Sequence, residues 1–169
     1  MIFKYIVLVL YLPYIYYLKK SSKNLSEIHY LLKSKFCGNK AFSAMISILS
    51  PYSGSINPIV ENYDPYYTKC YIQEKRFLKN PFNSIHAIAI ANLGELTSGL
   101  LMMDYLQSTK QKGIITNIHI KYHKKARGKI TAICDIKSLN EGIIKSDIFD
   151  NKNVLICEVF CTWDIKKNI

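Results

Sequence analysis

The rhythm of apolar and polar residues shifts from one stretch of this chain to the next. Tyr5 to Leu18, between Lys4 and Lys19, is free of charge and rich in Ile, Leu, Val and Tyr. It falls short of the ~20 residues that span a bilayer, and Pro13 interrupts it. A basic stretch follows to Lys40, with Glu27 its only acid. The pattern then predicts a short apolar helix from Ala41 to Leu49, ended by Ser50-Pro51, and a Ser53-Gly-Ser55 turn. Two strands, Ile56 to Tyr63 and Tyr67 to Lys75, are joined at Asp64-Pro65. Asn80-Pro81 breaks the chain ahead of a long apolar run from Ile85 to Met103. That run reads as a helix capped by Asn83 or Ser84 and ending near Leu106.

After Lys112-Gly113 the period becomes two. Ile118, Ile120 and Tyr122 point one way, and Asn117, His119, Lys121 and His123 the other. Ile130, Ala132, Cys134 and Ile136 alternate against Thr131, Asp135 and Lys137. Further strands fall near Ile143 to Phe149 and Val154 to Ile165. The class is α+β, and one curved antiparallel sheet wrapped around one long central helix is the simplest way to bury that helix.

At 169 residues the chain can bury a useful core, and 49% hydrophobic residues exclude disorder as the default. Its 23 basic against 12 acidic residues give +11, which favours anionic partners. No reader motif with interleaved aromatics accompanies that charge, so nucleic acid is not the expected partner. The five cysteines are odd in number and lack CxxC spacing, which argues against a disulfide framework and a zinc site. Cys157 and Cys161 fall on one strand face, about 13 Å apart, as core thiols. His119 and His123, on a strand, are too far apart to share a metal and read as surface residues.

Chemistry concentrates in the central run. Glu95 is its one carboxylate, and His86 at its start is the only other ionisable side chain. A glutamate enclosed in such a helix carries a desolvation cost and suggests a task. The plain alternative is a glutamate on the wet edge of an amphipathic helix. Ala87, Ala91, Gly94 and Ser98 form a small-residue stripe suited to close approach of a sheet. Asn92, Glu95 and Gly99 share another face, which sets the carboxylate beside an amide and a gap. His86 and Glu95 lie on opposite faces, about 13.5 Å apart along the axis. One site containing both therefore needs a second subunit.

These residues carry a resemblance. Asn80-Pro-Phe-Asn-Ser-Ile-His86-Ala-Ile-Ala-Ile-Ala-Asn-Leu-Gly-Glu95-Leu-Thr-Ser-Gly-Leu100 resembles the hotdog-fold thioesterase superfamily. The likeness is greatest to an uncharacterised branch related to the phenylacetate-pathway (PaaI-like) thioesterases. Tyr122-His-Lys-Lys-Ala-Arg-Gly-Lys129 is similar to that branch's second signature, and Pro51 to Ser55 and Trp163 fit its beginning and end. The resemblance covers about Ala41 to Lys166.

It implies a hotdog fold working as a dimer or as a tetramer of dimers. Asn80, His86 and Glu95 match the family's Asn, His and acidic spacing. Ala87 stands where the family often has Gly, and its N–H remains available. A Ser that some members place after the helix falls near Ile115, beside Thr116. The implied reaction is hydrolysis of an acyl-CoA or acyl-carrier-protein thioester, with coenzyme A as part of the substrate and no cofactor. The Ala87 N–H at the helix start, with His86, would stabilise the developing oxyanion. Glu95 of a partner subunit would activate water, or form an anhydride as nucleophile, and Asn80 would orient water or carbonyl.

Asn92, Gly99 and Thr116 are candidate substrate contacts. Lys125 and Arg127, within the basic group Lys121, Lys124, Lys125, Arg127 and Lys129, are candidates for coenzyme A phosphates; a solvated hairpin is the alternative. His86 can equally be a capping residue, and Asn80 a turn residue. The competing functions are a non-catalytic acyl-thioester or lipid-binding hotdog protein at a membrane, and a hotdog dehydratase. The Asn-His-Glu pattern suits hydrolysis better than dehydration.

Residues 1–35 read as a targeting or membrane-anchor segment that adds little to the core, and 36–169 as the hotdog domain. The first segment suits an interfacial anchor, a signal core without a following small-residue cleavage site, or an organelle transit segment. A helix packed on the domain, in a cytoplasmic protein, is the alternative.

Overall fold

The structure is a computed structural model and describes residues 2–21 and 24–167. Four helices come first: α1 (Ile2–Ser21), α2 (Leu25–Lys33), α3 (Gly38–Leu49) and the single turn α4 (Pro51–Gly54). Strands β1 (Ile59–Tyr63) and β2 (Tyr67–Gln73) lead to the long helix α5 (Ala87–Ser108). Then come β3 (Gln111–Tyr122), β4 (Lys129–Asp135), β5 (Ile143–Phe149) and β6 (Leu155–Lys167). The six strands form one curved antiparallel sheet in the order β1-β2-β4-β5-β6-β3 around α5. This is the expected architecture.

The helix can lie so close to the sheet because Gly94 has no side chain. A Cβ there would fall 2.5 Å from Val159 Cγ2 of β6. Beside it, the Ser98 hydroxyl turns back to Gly94 O, and the Ser146 hydroxyl of β5 donates to the same carbonyl at 2.8 Å. Gly94 and Ser98 thus do what the small-residue stripe suggested. Cys70, Cys134, Cys157 and Cys161 are buried thiols, also as expected.

Three local expectations change. The cap of α5 is neither Asn83 nor Ser84 but His86, whose Nδ1 accepts the Ile88 N–H at 3.1 Å. Asn83 cannot cap because it turns the chain with a positive φ of 55°. Next, the basic segment is not a hairpin. β3 pairs only with β6, whereas β4 pairs with β2 and β5. Residues 123–128 therefore cross the end of the sheet and pass the start of α5, where Ile85 N–H donates to Ala126 O and Arg127 Nε to Asn83 O. Finally, Pro13 does not interrupt α1. It lies on the exposed side, where solvent can take the carbonyl that a proline leaves unpaired.

The first two helices are packed structure. Leu8, Ile15 and Leu18 of α1, with Ile28 and Leu32 of α2, belong to the same buried cluster as Phe42 of α3 and Val60 of β1. Their apolar stripes meet α3, which explains why a segment read from composition as separate joins the core. His29 of α2 is buried here, with its Nδ1 facing Tyr63 O at 3.1 Å and its ring edge-on to Phe42. Burial lowers its pKa from 6.5 to about 4.

The unfolded chain therefore binds a proton that the native chain refuses between those two values. The stability this group confers is present above pH 6.5 and is lost as pH falls toward 4. The shift corresponds to about 3 kcal/mol. Urea unfolding at pH 7 and pH 4.5 should show that loss, and His29→Gln should reduce the difference.

Candidate active site

Glu95 sits midway along α5 and is half-buried. Among the described residues no cation pairs with it, and burial alone raises its pKa above the ordinary 4.5. It borders two cavities. The first, about 370 Å³, is lined by Tyr52, Ile88, Asn92, Ile115 and Ile118 as well. The second, about 270 Å³, is lined chiefly by Leu25, Leu49, Leu96, Gly99, Met103 and Trp163. Gly99 keeps the carboxylate unobstructed, since a Cβ there would stand 3.3 Å from Glu95 Oε1.

Asn92, three residues before Glu95 on the same face, is fixed by Tyr52. Its Nδ2 donates to Tyr52 O at 3.1 Å, which settles the amide orientation. Its Oδ1 is buried and has no partner. A carboxylate without a cation and an amide oxygen without a donor share one cavity wall. Such a pair is suited to holding a water molecule or a substrate N–H between them.

His86 projects elsewhere. It lines a third cavity, of about 310 Å³, with Tyr52, Phe77, Ile88 and Asn92, but not with Glu95. Because Nδ1 accepts from Ile88, the ring proton belongs on Nε2, which leaves a donor facing outward. Ala87 lies in an adjoining groove of about 290 Å³, with Asn80, Tyr122, Lys124 and Lys125. The Ala87 carbonyl accepts the Tyr122 hydroxyl at 2.9 Å. Its N–H, first of the helix, meets no acceptor among the described residues.

Asn80 is chiefly a turn residue. Its Oδ1 accepts from Phe82 N–H, Ser84 N–H and the Ser84 hydroxyl, shaping the loop before α5. Only its Nδ2 remains for other work. Lys125 lies 5.9 Å over the Phe82 ring, and Arg127 is tied to Asn83 O. Lys121 and Lys129 turn away, to Phe160 and to Glu61 with Tyr71. His123 pairs with Glu158 at 3.0 Å, and His119 packs on Phe160; both are exposed.

Thr116 stands where the β3–β6 register slips between Ile115 and Asn117, and its hydroxyl donates to Thr162 O. It borders neither Glu95 cavity in this chain. The bulge has another effect. It changes the parity of β3, so that Ile115 before it and Ile118 after it both line the cavity beside Glu95. Those two isoleucines and Tyr52 were not among the candidates. Tyr52 lay inside the Pro51–Ser55 motif, whereas strict alternation along β3 hides the bulge. Among the described residues no group of three His, Cys, Asp or Glu side chains is placed to hold a metal ion.

The family described as domain of unknown function DUF4442 matches residues 38–163. Solved structures share the fold. The protein genomics APC5556 is 21% identical with a TM-score of 0.73, over 85% of this chain and 99% of that one. A variant of the SAV0944 thioesterase of Staphylococcus aureus subsp. aureus Mu50 is 20% identical with a TM-score of 0.60, over 69% and 99%. The Escherichia coli PaaI protein of the phenylacetic acid degradation operon is 7% identical with a TM-score of 0.62, over 86% and 97%. The chain matches none of the curated proteins. At these identities the likeness carries the fold, which is the hotdog.

Proposed function

The chain belongs to the DUF4442 family and has the hotdog fold, and on that footing we propose that it hydrolyses acyl thioesters at a site shared by two subunits. The observation that carries this reading is Glu95, a half-buried carboxylate without a cation beside the orphan Oδ1 of Asn92. A water between them is oriented by Asn92 and deprotonated by Glu95. Its oxygen forms a bond to the thioester carbonyl carbon, and the proton passes through Glu95 to the departing sulfur as the C–S bond breaks.

The carbonyl oxygen needs donors as it becomes anionic. His86 Nε2–H and Ala87 N–H at the start of the partner's α5 supply them, with the positive end of the helix behind. The cavity lined by Leu96, Gly99, Met103 and Trp163 suits an apolar acyl chain. Lys124 and Lys125 flank the groove at the helix start and suit the phosphates of coenzyme A. A second copy has a surface to meet: β3 is an edge strand, with Ile114 66% and Ile118 43% exposed, and Ile88 of α5 is 54% exposed.

The test is a panel of acyl-CoA substrates on the full chain, with the freed thiol as readout. Hydrolysis above the blank is expected, with its acid limb above pH 4.5 because burial raises the base's pKa. Acyl-CoA binding without thiol release would make this a non-catalytic binding protein instead.

A further inference from the structure

Helix α1 has two apolar faces and only one of them is covered. Val7, Leu8, Ile15 and Leu18 form the face packed into the protein. The opposite face carries Ile6, Val9, Leu10, Leu12, Tyr16 and Tyr17, each between 50% and 75% exposed. On a helix, positions 6, 9, 10, 13, 16 and 17 fall in one continuous stripe, with position 12 at its border, so these side chains and Pro13 make a patch and are not scattered. Single exposed apolar residues are ordinary, but an unbroken stripe over about three turns is an interaction surface.

Charge on this helix has one sign. The sequence of α1 contains no Asp or Glu, and the exposed Lys19 and Lys20 stand in its last turn. The whole chain carries +11. An anionic surface is attracted to so cationic a chain, and Lys19 and Lys20 place part of that charge at one end of the stripe. Tyrosine at the exposed edge suits a boundary where one end of the side chain is apolar and the other wet. No helix among the described residues is long and apolar enough to cross a membrane, so α1 would lie along a surface and not through it.

We propose that α1 docks this protein on anionic phospholipid membranes, with the stripe from Ile6 to Tyr17 in the headgroup layer and Lys19 and Lys20 against lipid phosphates. The inner face of the helix stays packed, so docking requires no unfolding. It holds the thioester site near the surface while leaving the site's own geometry unchanged.

Vesicle flotation of the full chain tests this. Binding is expected to vesicles of equal parts phosphatidylcholine and phosphatidylglycerol, with weak binding to phosphatidylcholine alone. Leu10→Glu with Tyr17→Glu should lower partitioning at least ~10-fold. Lys19→Ala with Lys20→Ala should lower it roughly 10-fold at low salt. These side chains are exposed, so both variants should melt at the wild-type temperature. If the glutamate variant melts lower, the lysine variant decides. Wild type that does not float, or variants that float equally, would overturn the proposal. So would sedimentation showing that the stripe drives self-association without vesicle binding.

Discussion

Glu95→Gln should keep the fold and reduce thioester hydrolysis at least ~100-fold, the lower range for loss of a general base. The amide matches the carboxylate in size, so neither the cavity beside Asn92 nor the contact at Gly99 changes shape. Only the capacity to take a proton from water is lost. Stability separates this from a structural role. Burial penalises the Glu95 carboxylate, raising its pKa above 4.5 in the native state. The native chain thus binds its proton more tightly than the unfolded chain, and stability falls as pH rises from the unfolded value through the native one. At neutral pH the neutral Gln escapes that penalty, so the variant should melt no lower than wild type. A glutamate kept for the fold would give the reverse: lower stability and little change in turnover per folded molecule.

Deleting residues 1–35 should leave a chain without a cooperative unfolding transition. The deletion removes Leu8, Ile15, Leu18, Ile28 and Leu32 from the core and uncovers their neighbours on α3 and β1. Each buried aliphatic side chain contributes about 2 kcal/mol, together about 10 kcal/mol as an upper estimate. That is comparable to the whole stability of a domain, about 5–15 kcal/mol. This reverses the expectation that the segment adds little to the core. Circular dichroism through a urea titration of the truncated chain is the measurement. A sharp transition close to that of the full chain would contradict the packing described.

Different parts of the molecule were legible in the sequence to different degrees. The central helix was plain as a long apolar run buried on most sides, and the period-two strands because burial on one face leaves its mark at every second residue. The shared face of Asn92, Glu95 and Gly99 followed from helical spacing alone. The role of α1 was obscured because its apolar residues go all round, so composition suggested a lipid segment where one face serves the core. The bulge at Thr116 was hidden for a different reason. Ile114, Ile115 and Ile118 are all apolar, and only the pairing with β6 shows which of them turn toward Glu95. His86 as a cap was legible only as an alternative to a catalytic role, since Asn83 and Ser84 are better capping residues by type; the backbone at Asn83 excludes it.

The central claim is that His86 of one subunit and Glu95 of another complete one site. Co-expression of His86→Ala and Glu95→Gln chains tests it most directly. Each variant alone should be nearly inactive. In a mixed dimer one site inherits both substitutions and the other inherits neither, so random pairing predicts about one quarter of wild-type hydrolysis. A mixture no more active than the separate variants, measured on dimers shown to contain both chains, would contradict the shared site.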